Sequence, residues 1–116
     1  EFVISFEQLK KETTVSALDL AKRLLDYGFH APTVYFPQIV KEAWMIEPTE
    51  NASKRELDEF CEVVKRIIDE AYNSPDLVKN APYNTAVKRI DEAYGSRPNT
   101  MAPTYRWVIK RNQISP

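Results

Sequence analysis

Residues 26–50, DYGFHAPTVYFPQIVKEAWMIEPTE, constrain the fold more than any other part of the sequence. This segment contains Gly28 and three prolines, Pro32, Pro37 and Pro48. Proline removes a backbone donor and restricts the residue before it, so no single helix runs through the segment. Its aromatic and aliphatic residues are too numerous for a plain solvated connection. We therefore expect a buried, rigid segment with short strands over residues 33–36 and 43–47.

Apolar periodicity predicts a helix on each side of that segment. Ser16 and Asp19 are spaced like a capping box, and Gly28 stands where a left-handed residue would end the first helix. Ser53 and Glu56 form a second capping box, S-x-x-E, at the start of a longer helix. Apolar residues of the longer helix recur at i, i+3, i+4 and i+7, which predicts one buried stripe. The stripe consists of Leu57, Phe60, Cys61, Val64, Ile67, Ile68 and Ala71.

The two ends of the chain differ in regularity. The run from Phe2 to Phe6 alternates and predicts a strand, whereas EQLKKETT after it is polar. Ser74 followed by Pro75 predicts a short helix over residues 76–79. We assign residues 1–80 to a compact domain and residues 81–116 to an irregular extension that packs on the domain or on a partner. A brief helix capped by Thr85 and ended by Gly95 is one option within this extension.

The order β-α-β-β-α predicts an α+β fold, with a small, mostly antiparallel sheet and both long helices on one face. The uncovered sheet face and the aromatic tail are expected to pack against a partner. The sequence begins at Glu1 without an initiator methionine and contains only two glycines, so no phosphate-binding loop is encoded. These features favour a piece of a larger polypeptide.

Composition excludes several classes of function. The formal net charge of -1 predicts no nucleic-acid or acidic-membrane partner. The sequence contains neither an apolar run of the roughly 20 residues that span a bilayer nor a signal segment. Cys61, the one cysteine, excludes an internal disulfide and fits a reducing compartment, and its place in the stripe predicts a buried, unreactive side chain. A single histidine and a single cysteine do not form the ligand cluster of a metal site.

A few polar and aromatic residues are candidates for function. His30 follows a helix-ending glycine on a proline-stiffened loop, where binding groups concentrate, although a ring that packs under Phe29 and hydrogen-bonds a carbonyl is the more common explanation of a lone histidine. Glu47 adjoins an apolar run, whereas Glu50 is explained by its place before a helix start. Trp44, Tyr105 and Trp107 lack a basic groove beside them, so we expect core or interface packing rather than base stacking.

The segment and its flanks closely resemble the C-terminal domain of the P-proteins, the pyridoxal-phosphate-dependent decarboxylases of the glycine cleavage system. The resemblance rests on DYGFHAPT at 26–33, Phe36-Pro37, EPTE at 47–50, Ser53-Lys54, and Leu57 to Phe60. The upstream run SALDLAKRLLDYG also matches, and NAPYNT and KRIDEAYG resemble the second subunit of the two-subunit form. The likeness covers most of the chain, and Ser96 to Pro116 departs from it most.

This resemblance implies the C-terminal small domain of a fold type I, aminotransferase-like enzyme, a glycine dehydrogenase (aminomethyl-transferring). Its pyridoxal phosphate is bound on a lysine of the large domain, outside this chain, so the isolated chain should be inactive and should bind no cofactor. The enzyme decarboxylates glycine and transfers the aminomethyl group to the lipoyl arm of H-protein. His30, Thr33, Glu47 and Thr49 are the positions that we expect to form a wall or entrance of its active site.

The same resemblance implies three protein partners: the large domain of the same polypeptide, a partner P-protein subunit and H-protein. It also implies a cytoplasmic location in a prokaryote, or a mitochondrial one if the source is eukaryotic. The alternative is a free-standing, non-enzymatic α+β interaction module that contains this motif. An upstream coding segment with a cofactor lysine would favour the enzyme, and a start codon directly before Glu1 would favour the module.

Overall fold

The computed structural model describes residues 1–98, which form three strands and five helices. In chain order these are β1 (Phe2–Ser5), α1 (Glu7–Thr13), α2 (Ala17–Asp26), β2 (Thr33–Val34), β3 (Ala43–Ile46), α3 (Lys54–Asn73), α4 (Pro75–Lys79) and α5 (Glu92–Gly95). The predicted α+β class is confirmed. No helix within residues 1–98 is both long and apolar enough to cross a membrane.

The sheet is small and antiparallel, as predicted, with the order β1-β3-β2. Trp44 of β3 lies opposite Ile4 on one side and opposite Val34 on the other, so these three residues share one face. Trp44 is only 1% exposed, its ring contacts that of Phe6 edge-on at 4.8 Å, and its Nε1 donates to the Ala17 carbonyl at 2.9 Å. The prediction that Trp44 packs in the core is confirmed.

Helix α1 was not predicted, because its sequence, EQLKKET, shows a single apolar residue. That residue, Leu9, and Phe6 just before the helix are both buried in the core. Residues three apart lie on the same face of a helix, so burial of Phe6 and Leu9 together is enough to hold the first turn of α1 against the core. Tertiary packing therefore decides the conformation of this polar run.

Both capping boxes are confirmed. The Ser16 side chain accepts from the Asp19 amide while the Asp19 carboxylate accepts from the Ser16 amide, and Ser53 and Glu56 are paired in the same way. Gly28 has φ +82, a left-handed value, directly after α2. Glycine adopts this conformation without a steric penalty, which allows the chain to turn into the next loop.

The predicted stripe of α3 is buried only in part. Ile67 and Ala71 are buried, and Phe60, Val64 and Ile68 are half-buried. Leu57 is 40% exposed and Cys61 is exposed, so the prediction of a buried Cys61 is wrong. Periodicity identifies a face of a helix but not how far the neighbouring elements extend along it. Helix α3 packs mainly against α1, α2 and α4, which cover its C-terminal half.

The segment after α4 is tied to α2. Ala81 and Pro82 are buried, and the Asp26 carboxylate accepts from the amides of Tyr83 at 2.6 Å and Asn84 at 2.7 Å. The proposed domain boundary at residue 80 stays a prediction. The short helix, α5, is capped by Asp91, whose carboxylate accepts from the Tyr94 amide, and not by Thr85. The tail residues Tyr105 and Trp107 lie outside the described residues.

Candidate functional site

The four predicted wall residues belong to two loops that the sheet brings together. His30 lies on the loop that follows α2, and Thr33 begins β2. Glu47 and Thr49 lie on the loop that follows β3. Thr33 is paired with Met45 near the end of β3, so the two loops lie side by side. All four residues are exposed and line one open depression of about 610 Å³.

Apolar side chains form much of the lining of this depression. Phe29 and Phe60 meet edge to face, with ring centroids 5.6 Å apart, and join the loop after α2 to helix α3. Met45 of β3 and Leu57 of α3 add to the same lining. Sites of this volume with mostly apolar walls and a few polar groups are typical of small-molecule binding. The exposed position of Leu57, unexpected for a core residue, is explained by its place in the depression.

The charged groups of the depression are acidic. Glu47 and Glu56 line it, whereas no lysine or arginine among residues 1–98 does. The Glu56 carboxylate accepts from the amide and the hydroxyl of Ser53, both at 2.7 Å. Both hydrogen bonds lower the pKa of Glu56, and the bond from the Ser53 backbone amide contributes most. The Glu56 carboxyl group is therefore ionised at neutral pH. Glu50 is exposed and does not line the depression, in agreement with a local role before α3.

A polar cluster beside Gly28 was missed by the sequence analysis. Arg23 of α2 donates through Nε and Nη2 to the Glu70 carboxylate of α3, at 2.8 and 3.0 Å, and through Nη1 to Asp26 at 3.0 Å. The hydroxyl of Tyr27 donates to Glu70 at 2.5 Å. The bidentate contact between Arg23 and Glu70 fixes α2 against α3, directly before the loop that carries His30.

The cluster shifts the titration of its carboxyl groups. Burial opposes ionisation of Glu70, but hydrogen bonds from Arg23 and Tyr27 outweigh it and lower its pKa. Burial likewise opposes ionisation of Asp26, while the amides of residues 84 and 83 and the Arg23 guanidinium hold its pKa below the usual value. No local signal in the sequence connects Arg23 and Asp26 to Glu70.

Metal binding and cysteine chemistry have little support in the part of the chain that the structure describes. Residues 1–98 contain no group of three or more histidine, cysteine or acidic side chains placed to bind a metal ion. Cys61 lies on the open side of α3 and does not line the depression. The arrangement is therefore a small α+β domain in which the loops after α2 and after β3 share an open, partly apolar, acidic depression. Such a depression suits one wall of a larger site.

Residues 1–92 match the family described as "Glycine dehydrogenase, C-terminal domain", and the chain belongs to this family. The proteins it resembles include one from Thermococcus onnurineus, 56% identical over 115 residues, and one from Pyrococcus furiosus, 62% identical over 97 residues. A third, from Thermotoga petrophila, is 53% identical over 107 residues. All three are named "Probable glycine dehydrogenase (decarboxylating) subunit 2".

The extent of these matches defines what the chain represents. They cover 98%, 84% and 92% of this chain but 23%, 19% and 22% of the respective relatives. The chain thus spans about a fifth of the length of the curated relatives it matches. Since the Thermococcus match covers 98% of the chain, it also extends into the tail after Ser96, where the sequence had appeared to depart from the family.

Proposed function

We propose that this chain is the C-terminal small domain of a pyridoxal-phosphate-dependent glycine decarboxylase of the glycine cleavage system. The observation that carries the proposal is the meeting of the family signature in one place. Residues 28–33 of DYGFHAPT and residues 47–49 of EPTE are separated in sequence, yet both groups line the same open depression. The complete enzyme would have a fold type I architecture, decarboxylate glycine and transfer the aminomethyl group to a lipoyl arm, in the cytoplasm of a prokaryote.

The residues that the structure describes do not form a cofactor site by themselves. Pyridoxal phosphate needs a lysine for its aldehyde and backbone amides or cations for its phosphate. Within residues 1–98, no lysine and no arginine lines the depression, and Gly28 is the one glycine that does. The cofactor therefore belongs to the large domain in this proposal, and this chain supplies no covalent step.

What this chain can supply is shape, orientation and exclusion of water. His30, Thr33, Glu47 and Thr49 stand exposed on loops fixed at both ends, by α2 and β2 on one side and by β3 and α3 on the other. A large domain of the same polypeptide would close over them and turn the depression into one wall of an enclosed site. The relatives' name, subunit 2, supports a partner subunit as a further component, and H-protein would present the lipoyl arm.

The experiment substitutes His30→Ala in the complete enzyme. His30 is exposed, so the substitution should move the unfolding free energy by about 0.5 kcal/mol or less. Glycine decarboxylation should fall at least about tenfold, which corresponds to about 1.4 kcal/mol of transition-state stabilisation. Gln38→Ala, at an exposed position on the loop between β2 and β3, is the control and should retain activity. Normal turnover per folded His30→Ala enzyme would reject the proposed role of this loop.

A further inference from the structure

We propose that Asp26 is a positioning residue, whose buried carboxylate ties the chain after α4 to the loop that carries His30. This inference rests on the proposed function, in which that loop forms part of an active-site wall. Asp26 does not line the depression, which this part of the chain reaches only at Gly28. It therefore acts on the reaction through the placement of the loop and not by contact with substrate.

Three donors surround the carboxylate of Asp26. Its Oδ1 accepts from the backbone amides of Tyr83 at 2.6 Å and Asn84 at 2.7 Å. Its Oδ2 accepts from Nη1 of Arg23 at 3.0 Å. The Asp26 side chain is only 2% exposed, so water has little access to these bonds. Hydrogen bonds to a charged acceptor are stronger than neutral ones, and a buried donor that loses its partner is costly. The carboxylate therefore holds residues 83–84 and the end of α2 in one arrangement.

Backbone hydrogen bonds connect the last turn of α2 to the loop. The Gly28 amide donates to the Leu25 carbonyl at 3.0 Å. The Phe29 amide donates to the Leu24 carbonyl at 3.4 Å. His30 is the next residue in the chain. A shift of the last turn of α2, which contains Asp26, would therefore be transmitted to His30.

The chain after residue 84 continues along α2 through more exposed contacts. Arg89 donates through Nε to the Ala81 carbonyl at 2.7 Å, and its Nη1 pairs with the Asp19 carboxylate at 2.7 Å. Glu92 pairs with Lys22 of α2 at 3.6 Å. The side chains of residues 19 and 92 are 13% and 58% exposed, against 2% for residue 26. Exposed ion pairs contribute little, so the contact at residue 26 is the one we expect to hold this segment on α2.

The His30 side chain depends on the backbone for its placement. His30 is exposed, and no hydrogen bond within residues 1–98 holds its ring. A functional group is placed precisely only when the residues that support it are themselves fixed. The far end of the loop is fixed by strand pairing, since Thr33 lies opposite Met45. The near end is fixed by the bonds of Asp26, so loss of this carboxylate should release one end of the loop.

The test measures kcat for glycine decarboxylation, per folded complete enzyme, after substitution on either side of the same hydrogen bonds. Asp26→Asn keeps the shape of the side chain but removes its charge and turns a donor toward Arg23. Asn84→Pro removes one of the two amide donors at a residue that does not line the depression. Both should lower kcat about fivefold or more and leave the KM for glycine within about twofold, because a misplaced group weakens transition-state stabilisation. If Asp26→Asn does not fold, Asn84→Pro still decides, and an unchanged kcat would overturn the inference.

Two matched controls change the same segment but keep its buried contact. Asn84→Ala retains the backbone amide and loses only a 3.2 Å bond from the side-chain Nδ2 to the Asp26 carbonyl. Glu92→Gln removes the exposed ion pair with Lys22. Both should keep kcat within about twofold of the parent enzyme.

A double-mutant cycle separates positioning from a purely structural role. If Asp26 acts through His30, Asp26→Asn should change kcat by less than about twofold in an enzyme that already carries His30→Ala, because the group to be positioned is absent. Two residues that act independently would instead give multiplied losses in the double variant. That result would refute the inference.

Hydrogen exchange of the complete protein, followed by mass spectrometry, tests the anchor without catalysis. Asp26→Asn should speed exchange in the peptide that covers residues 28–33 about tenfold or more, whereas Asn84→Ala should not, because local opening becomes easier only when the buried contact is lost. Faster exchange in a protein that does not decarboxylate glycine would refute the proposed function and leave the anchor standing. Glycine decarboxylation with exchange and kcat unchanged by Asp26→Asn would refute the inference alone.

Discussion

Ile67→Ala should destabilise the domain far more than Leu57→Ala, although helical periodicity places both residues on one stripe. Ile67 is 1% exposed and belongs to the core formed by α2, α4 and the sheet, whereas Leu57 is 40% exposed at the rim of the depression. The two substitutions remove the same number of carbon atoms from the same helix. Alanine gains more helix propensity over isoleucine than over leucine, which acts against the expected order, so a larger loss for Ile67→Ala reports packing.

The expected magnitude follows from the burial of each side chain. Truncation of a fully buried isoleucine to alanine costs about 2–5 kcal/mol, because contacts are lost and a cavity remains. The better helix propensity of alanine offsets at most about 0.7 kcal/mol of this loss of stability. Leu57→Ala leaves no closed cavity, so about 1 kcal/mol is expected from lost apolar area. The free energy of unfolding of a small domain is about 5–15 kcal/mol, so Ile67→Ala removes a large part of it.

The assay is urea unfolding of the purified chain, followed by circular dichroism, with thermal melts as a second measurement. Even the lower figure of about 2 kcal/mol corresponds to a fall in Tm of about 8–16 °C for a domain of this size. Equal free energies of unfolding for the two variants, or a larger loss for Leu57→Ala, would show that the core is not centred on the C-terminal half of α3.

Three further predictions concern the polar cluster, the core tryptophan and the cofactor. Because the pKa values of Glu70 and Asp26 are lowered in the folded state, their stabilisation is present above the ordinary carboxyl pKa of about 4 and is lost as pH falls below it. Glu70→Gln should cost about 1–3 kcal/mol at pH 7 and flatten the acid limb of the stability curve, and an unchanged limb would contradict this. Trp44→Phe leaves the Ala17 carbonyl without its buried donor, so thermal melts should show a loss of about 1–3 kcal/mol, and an unchanged Tm would contradict it. The purified chain mixed with pyridoxal phosphate should give no stoichiometric aldimine absorption band, and the appearance of that band would show that a lysine of this chain binds the cofactor.

The resemblance to a known family was sufficient to group the candidate site residues but not to describe the site. The motif positions His30, Thr33, Glu47 and Thr49 line one depression, and their chemical roles stay predictions. Their apolar neighbour Leu57 was assigned to the core, because a stripe of apolar residues looks the same whether it faces a core or a binding surface. The acidic character of the depression was also invisible, since Glu56 had been recognised only as a helix cap.

The sequence by itself determined those features that depend on residues a few positions apart. The ends of α2 and α3 follow from hydroxyl and carboxylate groups three residues apart, and the turn after α2 follows from a glycine that adopts φ +82 without strain. Such interactions close within one turn of chain, so a local pattern is enough to predict them.

Only the tertiary structure decided which surfaces meet. It folds a polar run into α1 because Phe6 and Leu9 are buried, and it joins Arg23 to Glu70, 47 positions further along the chain. It also covers the C-terminal half of α3 and leaves the first turns open as the wall of a depression. These outcomes depend on contacts between residues distant in sequence, and the free energy of such contacts is set by the shape of the assembled core and not by any local spacing.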